Sequence, residues 1–365
     1  MLTTLDRYIL GKFMQTFFFM VLIFTIISVV IDFSDKLDSF LDDKISWSVI
    51  ILDYYLTFIP NINGLLFPLY SLMAVVFFTS RMAFDAEIIS IIGSGVPYNR
   101  FLRPYIVGAL LLASLHLLGN HFIIPMGNKK RVAFENKYFW KNNIKSATQN
   151  LHMYLKPDVK VYMQNYNPQD STALGFSIET FKGDKLASRL NAVRAEWKPF
   201  RGDWQLFQFT VRTVDGMDEH ITNGMSRDTI ISWLAPMFKP KDIERRDNLN
   251  QTMTTPALIA FIKKEKERGS GGYGYFEVEL QRRSADAMTI IILTLIGVAL
   301  AGRRVRGGMG LHLALGVIIG GAFIFLSRFA ATLSINTSVP AYIGIWIPNF
   351  IFGLIALYLL KTAQK

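Results

Sequence analysis

The sequence predicts an α-helical membrane protein with six transmembrane helices and an inserted all-β, jelly-roll-like domain. Of the 365 residues, 51% are hydrophobic and only 18% are charged. Several apolar runs reach the roughly 20 residues that a helix needs to cross a bilayer. The middle of the chain is polar and rich in aromatic residues, which the core of a bilayer would not accept. A domain exposed to water must therefore interrupt the series of spans.

Six apolar runs are the predicted membrane spans. They cover residues 13–31, 52–79, 102–124, 287–301, 311–333 and 341–360. We interpret the first run as a retained span and not as a signal peptide, because Asp32 follows it where a small-residue cleavage site would stand. The fourth run is short and begins soon after Arg282 and Arg283, with Asp286 at its start.

Basic residues are distributed unevenly between the two sides of these spans. The loop after the first span holds Lys36 and Lys44 among five aspartates, whereas the opposite side collects many arginines and the lysines near both ends. The positive-inside rule predicts both termini in the cytoplasm and the insert outside. The expected domains are residues 1–124, 125–283 and 284–365. The net charge of +11 is then mainly a topology signal, and nucleic-acid binding explains it poorly.

The predicted external domain has strand-like sequence between residues 151 and 229. Apolar residues alternate with polar ones, and turn signals such as NPQD and FRGD separate the runs, which is typical of a β-sandwich or jelly roll. A helix is expected to begin at Thr255, with Pro256 in its first position, and to end at Gly269. The aromatic residues of this domain are expected in its core, and an apolar cleft for acyl chains is the alternative. They are Trp197, Phe200, Trp204, Phe207 and Phe209.

Sequence motifs for catalysis are not found. The chain has no cysteine and five histidines, and these histidines form no HExxH motif. The stretch GRRVRGGMG, residues 302–310, lacks the spacing of a nucleotide-binding loop and joins two spans. We therefore predict no cofactor, no metal, no catalytic residue and no ATP hydrolysis by this chain.

Three basic residues could bind an anionic lipid headgroup. Arg328 lies inside the fifth span, where a charge is costly unless it has a partner or reaches the membrane surface. Either it extends to the external lipid surface, or it faces inward and anchors a headgroup in the outer half of the membrane. Lys36 and Lys44 lie on the same side, but pairing with the neighbouring aspartates is the alternative for both.

The segment DAEIISIIGSGVP, residues 85–97, is predicted to be a short amphipathic helix on the cytoplasmic side. Asp85 suits the N-cap and Glu87 suits the electropositive first turn. One apolar stripe is expected from Ile88, Ile91 and Ile92, and Gly93 or Gly95 can supply a left-handed end. The helix could lie on the membrane surface, or it could dock into a groove on a cytoplasmic partner.

Nearly the whole chain resembles the lipopolysaccharide export permeases of the LptF/LptG family. The stretches that carry the resemblance are LDRYILGKF, FPLYSLMAVVFFTSR, AEIISIIGSGVP, FIIPMGNKKR, LNAVRAEW with DWQLFQFTV, RVRGGMG and IWIPNFIF. Their order and spacing together are specific. One departure is Ile92, which stands where the family often has a basic residue.

The resemblance implies a transport subunit of the bacterial inner membrane with several partners. A cytoplasmic ATPase dimer (LptB-like) would receive the 85–97 helix, and a paralogous permease subunit would complete a cavity for lipopolysaccharide among membrane lipids. Periplasmic jelly-roll bridge proteins (LptC/LptA-like) would continue the external domain. Two alternatives remain open at this stage: another ATP-coupled permease that transmits motion without moving a lipid, and a membrane-anchored sensor or assembly factor.

Overall fold

The computed structural model describes most of the chain as two compact units. The described residues are 3–42, 45–139, 149–216, 218–224, 229–231, 239–240, 243, 249–269, 273–302, 308–337 and 339–363. One unit consists of Met1–Phe134, Gln251–Pro256 and Gly274–Lys365, and the other of Glu135–Asn250 and Ala257–Tyr273. Lys44 and the arginines at positions 303, 304 and 306 lie outside the described residues.

Helices account for most of the first unit and also enter the second. Before the sheet they are α1 (Thr4–Asp42), α2 (Trp47–Val49), α3 (Leu56–Phe84), α4 (Glu87–Gly93), α5 (Tyr98–Leu118) and α6 (Ile124–Tyr138). Two π-helical turns, Ile50–Tyr55 and Gly119–Ile123, join α2 to α3 and α5 to α6. After the sheet follow α7 (Leu249–Thr252), α8 (Thr255–Glu267), α9 (Gly274–Ala301), α10 (Gly308–Asn336), α11 (Ala341–Gly344) and α12 (Ile347–Ala363).

Six helical runs are long and apolar enough to cross a membrane. They are Thr4–Leu41, Trp47–Phe84, Tyr98–Tyr138, Gly274–Ala301, Met309–Asn336 and Ala341–Ala363. The predicted number of spans is therefore confirmed for the part of the chain that the structure describes.

The helix of the fourth span extends further towards the N-terminus than the apolar run. This helix, α9, begins at Gly274 and not near residue 287, so the arginines that suggested a membrane boundary lie well inside the helix. Both arginines form ion pairs with Glu279, which lies three residues before Arg282 and four residues before Arg283. Pairing of this kind allows charged residues to continue a helix that the hydropathy of the sequence alone would end.

An apolar core joins α1, α3, α5 and α9. Phe13, Tyr70, Tyr105 and Ile290 are among its fully buried members. Helices α1 and α5 approach closely because Gly108 lacks a side chain: a Cβ atom there would lie 2.6 Å from Cδ1 of Phe13. The buried Ile88 of α4 belongs to the same core, so the short helix is fixed to the bundle by its packing.

The described part of the inserted domain contains one antiparallel sheet of seven strands. The strands are β1 (Gln149–Lys156), β2 (Val159–Asn167), β3 (Thr172–Lys182), β4 (Lys185–Lys198), β5 (Asp203–Asp215), β6 (Asp218–Gly224) and β7 (Thr229–Ile231). Strands β1 to β6 pair in chain order, and β7 pairs with β5. A helical membrane protein with an inserted all-β domain is therefore confirmed, with the described strands arranged as a meander.

The apolar face of the sheet buries only some of the predicted aromatic core. Trp204 is fully buried, and Trp197 and Phe209 pack beside it. Phe200 is fully exposed in the β4–β5 turn, and Phe207 lies under the guanidinium of Arg194 at 4.3 Å. Phe200 and Phe207 were therefore wrongly expected in the core.

Phe207 and Phe209 are two residues apart in β5 but have different surroundings, because the residue between them has a left-handed conformation. Gln208 has φ 49°, a conformation that interrupts the regular alternation of side chains. Trp204 and Leu206 are buried before it, whereas Phe209 packs on the same cluster after it. The predicted period of two therefore holds only within each half of the strand.

The helix predicted after the sheet is confirmed. Helix α8 begins at Thr255 with Pro256 next to it, where the missing N–H of proline is not needed. It ends at Glu267, and Gly269 follows with φ 69°.

Candidate functional site

The 85–97 segment contains a helix whose N-cap lies one residue later than expected. Ala86 adopts a left-handed conformation with φ 61° and precedes α4, while Asp85 ends α3. The prediction of Asp85 as N-cap is therefore wrong, because the chain reverses at Ala86 and no side chain caps α4. The carboxylate of Asp85 instead lies 3.9 Å from Nε of Arg81.

The isoleucines of α4 form one apolar side of the helix that is buried at one edge and exposed at the other. Ile88 is 3% exposed, and Ile91 packs against the same core. Ile89 is 61% exposed and Ile92 is also exposed. These two residues are one turn apart and lie beside the buried part of the helix surface. Ile92 lies one turn after Ile88 and so shares its side of the helix, at the exposed edge of the stripe. Ile88 and Ile91 anchor the helix, and Ile89 and Ile92 present an apolar surface.

The start of α1 contacts Glu87. The hydroxyl of Tyr8 lies 3.1 and 3.3 Å from the two carboxylate oxygens of Glu87 and donates a hydrogen bond to them. Tyr8 is a neutral partner, and no ion pair of Glu87 occurs within 4 Å in the described ranges. The negative charge of Glu87 is thus held in place but not neutralised.

A second contact joins the start of α1 to the start of α5. Arg100 donates hydrogen bonds of 2.7 Å to both carboxylate oxygens of Asp6, a bidentate geometry that is strong and directional. Asp6 is 2% exposed and also accepts a 2.8 Å bond from the backbone N–H of Thr3. The first turn of α1 therefore touches α4 through Tyr8 and α5 through Asp6.

A left-handed glycine follows α4, as predicted. Gly95 has φ 88°, and its N–H donates to the carbonyl of Ile92 at 3.0 Å. Pro97 then precedes α5 in extended conformation. The left-handed glycine supplies the turn that redirects the chain from α4 into α5.

A charged pocket lies within the helical unit. It is formed by α3, α6, α9 and α10 together with the second π-helical turn and residue 251, and its volume is about 120 Å³. The polar residues that line it are Asn61, Asn120, Asn128, Gln251, Glu279, Arg282, Arg283, Asp286 and Arg328. Three arginines face two carboxylates there, so the pocket has a surplus of positive charge.

Two of these arginines are held by fixed partners. Arg282 lies 2.9 Å and Arg283 3.3 Å from Glu279. Arg283 is 2% exposed and also donates to Oγ1 of Thr255 at 3.0 Å. Thr255 in turn lies 3.0 Å from Nδ1 of His121. The charges of α9 are therefore matched mainly within the pocket wall.

Arg328 differs from the other two arginines. It is exposed and lines the charged pocket, and no ion pair of its guanidinium within 4 Å is found among the residues described. Arg328 lines the pocket and remains exposed, so its role as an anchor for a headgroup stays a prediction. Its guanidinium is the charge that could accept an anionic group from outside the chain.

Lys36 is engaged by its own neighbours. Its ammonium pairs with the carboxylate of Asp32 and with the hydroxyl of Tyr54, and it lies over the rings of Tyr54 at 4.7 Å and Phe58 at 5.6 Å. This is the local pairing that the sequence offered as an alternative. Arg328 and Lys36 are therefore not brought together in one site by any contact described here.

Comparison with protein families decides the classification. The family model described as "Lipopolysaccharide export system permease LptF/LptG" matches residues 7–362. The chain belongs to the LptF/LptG family. A comparison with curated proteins gives no match. The match confirms the resemblance that the sequence motifs indicated and makes this chain a lipopolysaccharide export permease by family.

The contacts of Asp6 and Tyr8 in this LptF/LptG chain were not predicted, although one signal for them was present. Thr3 and Asp6 have the spacing of a capping box before an apolar run, and the structure shows the hydrogen bond from the N–H of Thr3 to Asp6. Spacing on α9 likewise placed Glu279 three and four residues before the two arginines, which favours pairing. No sequence pattern identified Tyr8 as the partner of Glu87, because that contact joins distant parts of the chain.

Proposed function

We propose that this chain is the membrane subunit of an ATP-binding-cassette transporter that extracts lipopolysaccharide from the inner membrane. A separate ATPase dimer would supply the energy, and periplasmic bridge proteins would receive the cargo. The observation that carries the proposal is the 85–97 segment: a rigidly anchored helix that presents an unneutralised carboxylate and an apolar surface. Family membership supplies the class of cargo.

The proposed topology follows from the distribution of basic residues. Both termini and α4 would lie in the cytoplasm, and the sheet domain would lie in the periplasm. The chain has no cysteine, so single-cysteine labelling can test this arrangement without background. Ile89→Cys and Phe200→Cys occupy exposed positions. A membrane-impermeant thiol reagent added to intact spheroplasts should label position 200 and not 89, and equal labelling of both would contradict the topology.

The ATPase would dock on α4. Ile89 and Ile92 would enter an apolar groove, and Glu87, with Asp85 beside the preceding helix, would face basic groups of the partner. Ile88 and Ile91, packed on the core of the bundle, would pass the motion of α4 to α3 and α5. Gly95 would set the direction of the chain into α5.

Charge reversal at Glu87 tests this docking. Glu87→Arg should abolish co-purification of the ATPase and nucleotide-driven release of lipopolysaccharide from proteoliposomes. Asp53→Arg is the matched control, because Asp53 is an exposed carboxylate in the first π-helical turn and should leave both readouts unchanged. Intact ATPase association in Glu87→Arg would favour a sensor or an assembly factor over a transporter.

The charged pocket would bind an anionic group of the cargo. Its volume of about 120 Å³ is sufficient for a phosphate or a carboxylate group. Arg328 would make the direct contact, since a guanidinium binds such groups with two hydrogen bonds. Lys36, and Lys44 on the same side, would contribute only if cargo displaced their local partners.

A second permease subunit would complete the cavity around the cargo. Support comes from α10, where Phe325 and Phe329 are exposed on the same helix as Arg328. Photo-crosslinking of lipopolysaccharide from residues near the pocket should fall strongly in Arg328→Ala, while Arg328→Lys should retain part of it. Unchanged crosslinking in Arg328→Ala would remove this residue from the cargo site.

A further inference from the structure

The polar face of the sheet contains a groove that the transport mechanism above does not use. We call it the sheet groove; its volume is about 440 Å³, within the range of small-ligand sites. It is lined by Asn150, His152, Met153, Tyr154, Lys160, Val161, Tyr162, Ser177, Glu179 and Arg189. All of these belong to the described strands β1 to β4.

Two rows of cross-strand neighbours build the sheet groove. In the first row His152, Tyr162, Ser177 and Asn191 stand side by side on β1 to β4. In the second row the neighbours are Tyr154, Lys160, Glu179 and Arg189. Because side chains alternate between the faces of a strand, both rows project from the face opposite the apolar core. The groove therefore presents hydroxyls, charged groups and aromatic rings on one rigid surface.

The floor of the sheet groove has an unused hydrogen-bonding group. Ser177 is 5% exposed, and its hydroxyl has no hydrogen-bond partner among the described residues. A buried hydroxyl without a partner is unfavourable, and nearly all such groups are satisfied in native proteins. The position of Ser177 in the lining means that a ligand oxygen in the groove could supply the missing bond.

The walls are preorganised by contacts among their own side chains. The ring of His152 lies 4.7 Å from the ring of Tyr162, and the ammonium of Lys160 lies over the ring of Tyr154 at 5.2 Å. Arg189 lies 3.5 Å from Glu179. Side chains fixed in this way lose little conformational entropy when a ligand binds.

We propose that the sheet groove binds an anionic oligosaccharide. Tyrosine and histidine rings can pack against the C–H faces of sugar rings, and the hydroxyl, amide and carboxylate groups can bond to sugar hydroxyls. Lys160 and Arg189 outnumber Glu179, which favours a saccharide that bears phosphate or carboxylate groups. The lining is too polar for the apolar segment of a protein partner. The proposal rests on the proposed function only for the placement of this domain in the periplasm.

Binding to the full-length chain in detergent tests the proposal. The probes are the phosphorylated oligosaccharide freed from lipopolysaccharide by mild acid, the same after phosphatase treatment, a carboxylate-bearing cell-wall glycan fragment, and a neutral dextran oligomer. Saturable binding of either anionic probe, about tenfold tighter than dextran, is expected, and the stronger of the two identifies the source. Absence of binding by both, or equal affinity for dextran, would overturn the proposal.

Variants assign the binding to the sheet groove. Lys160→Gln with Arg189→Gln removes the two basic groups and should weaken binding about tenfold. Ser177→Phe should fill the floor and abolish binding, and Lys185→Gln in the β3–β4 hairpin, an exposed position outside the groove, is the matched control. Unchanged affinity in the double variant would overturn the assignment, even if Ser177→Phe failed to fold.

The outcome is separable from that of the transport proposal. A chain that supports nucleotide-driven lipopolysaccharide release but binds none of the anionic probes would disprove the sheet groove alone. A chain that binds an anionic probe in the groove without supporting release would confirm the groove and contradict transport.

Discussion

The 85–97 segment and the charged pocket are built in the same way, but the charge that each presents has the opposite sign. Each combines ion pairs that fix the structure with one charge that makes no ion pair within 4 Å in the described ranges. At the segment, Asp6 and Arg100 are paired, and the carboxylate of Glu87 has only the neutral Tyr8 as a partner. At the pocket, Glu279 pairs with Arg282 and Arg283 on α9, whereas the guanidinium of Arg328 faces only the more distant carboxylate of Asp286.

The surroundings of the unmatched charge differ, and this difference indicates the kind of partner. Glu87 lies beside the exposed apolar side chains of Ile89 and Ile92, a surface suited to another protein. Arg328 lies at a small cavity lined by polar groups, which suits a compact anion. Under the proposed function, the ion-paired residues of both regions hold the structure in position, and Glu87 and Arg328 contact the partner and the cargo.

The largest expected effect is on the matched charges of the pocket. Glu279→Gln leaves two arginines of α9 without their carboxylate, and loss of one partner of a buried pair costs about 3–5 kcal/mol. Thermal melting in detergent should therefore show a large fall in the unfolding midpoint. An unchanged midpoint would mean that Arg282 and Arg283 do not depend on Glu279. Asp53→Asn, an exposed carboxylate, is the control.

A smaller effect is expected at the pair between α1 and α5. Asp6→Arg should lower the melting midpoint and the yield of the complex with the ATPase, because two like charges then face each other. Combining it with Arg100→Asp restores opposite charges and should recover most of both readouts. If the double variant were no better than Asp6→Arg, the ion pair would not be the reason for the loss.

The hydrogen bond between Tyr8 and Glu87 should contribute less. Tyr8→Phe removes one exposed hydrogen bond, worth about 0.5–1.5 kcal/mol at most. The fold should be retained, and affinity for the ATPase should fall only a few-fold, since Glu87 keeps its charge but loses its fixed direction. Tyr358→Phe on α12, also exposed, is the control. A loss as large as that of Glu87→Arg would show a direct contact of Tyr8 with the partner.

The smallest effect on stability is expected at Arg328. Because the exposed guanidinium makes no ion pair within 4 Å in the described ranges and only faces Asp286 across the pocket, Arg328→Gln should change the free energy of unfolding by less than about 1 kcal/mol. Its cargo crosslinking should nevertheless fall, in contrast to the behaviour of Glu279→Gln. A strong loss of stability in Arg328→Gln would place this residue among the matched charges and remove the contrast between the two groups.

Much of the fold could be predicted because it follows from local pattern. Hydropathy located six spans, period-two alternation located the strands, and Thr255 with Pro256 marked the start of α8. The start of α9 could not be predicted in this way, since Arg282 and Arg283 resemble a membrane boundary until their partner Glu279 is seen on the same helix.

The sequence predicted where the 85–97 helix lies in the chain, but it did not predict all the contacts of its residues. The sequence indicated α4, Glu87 and the left-handed Gly95, but it assigned the cap to Asp85 and combined Ile92 with the buried isoleucines. The cap was misplaced because the left-handed Ala86 delays the helix, and nothing in the sequence favours that conformation for alanine. Ile92 lies on the side of Ile88, one turn later, but tertiary packing leaves it exposed. The contacts of Glu87 and of the charged pocket depend on residues far apart in the chain, which a local pattern cannot reveal.

The small volume of the charged pocket has a consequence for cargo selection under the proposed function. A cavity of about 120 Å³ can admit one ionised group but cannot measure the number of fatty acids or the length of the sugar chain attached to it. The transporter would then tolerate wide variation in the size of its cargo. Chemical masking of a single negative group, for example by an amino sugar, would impair export far more than lengthening the molecule.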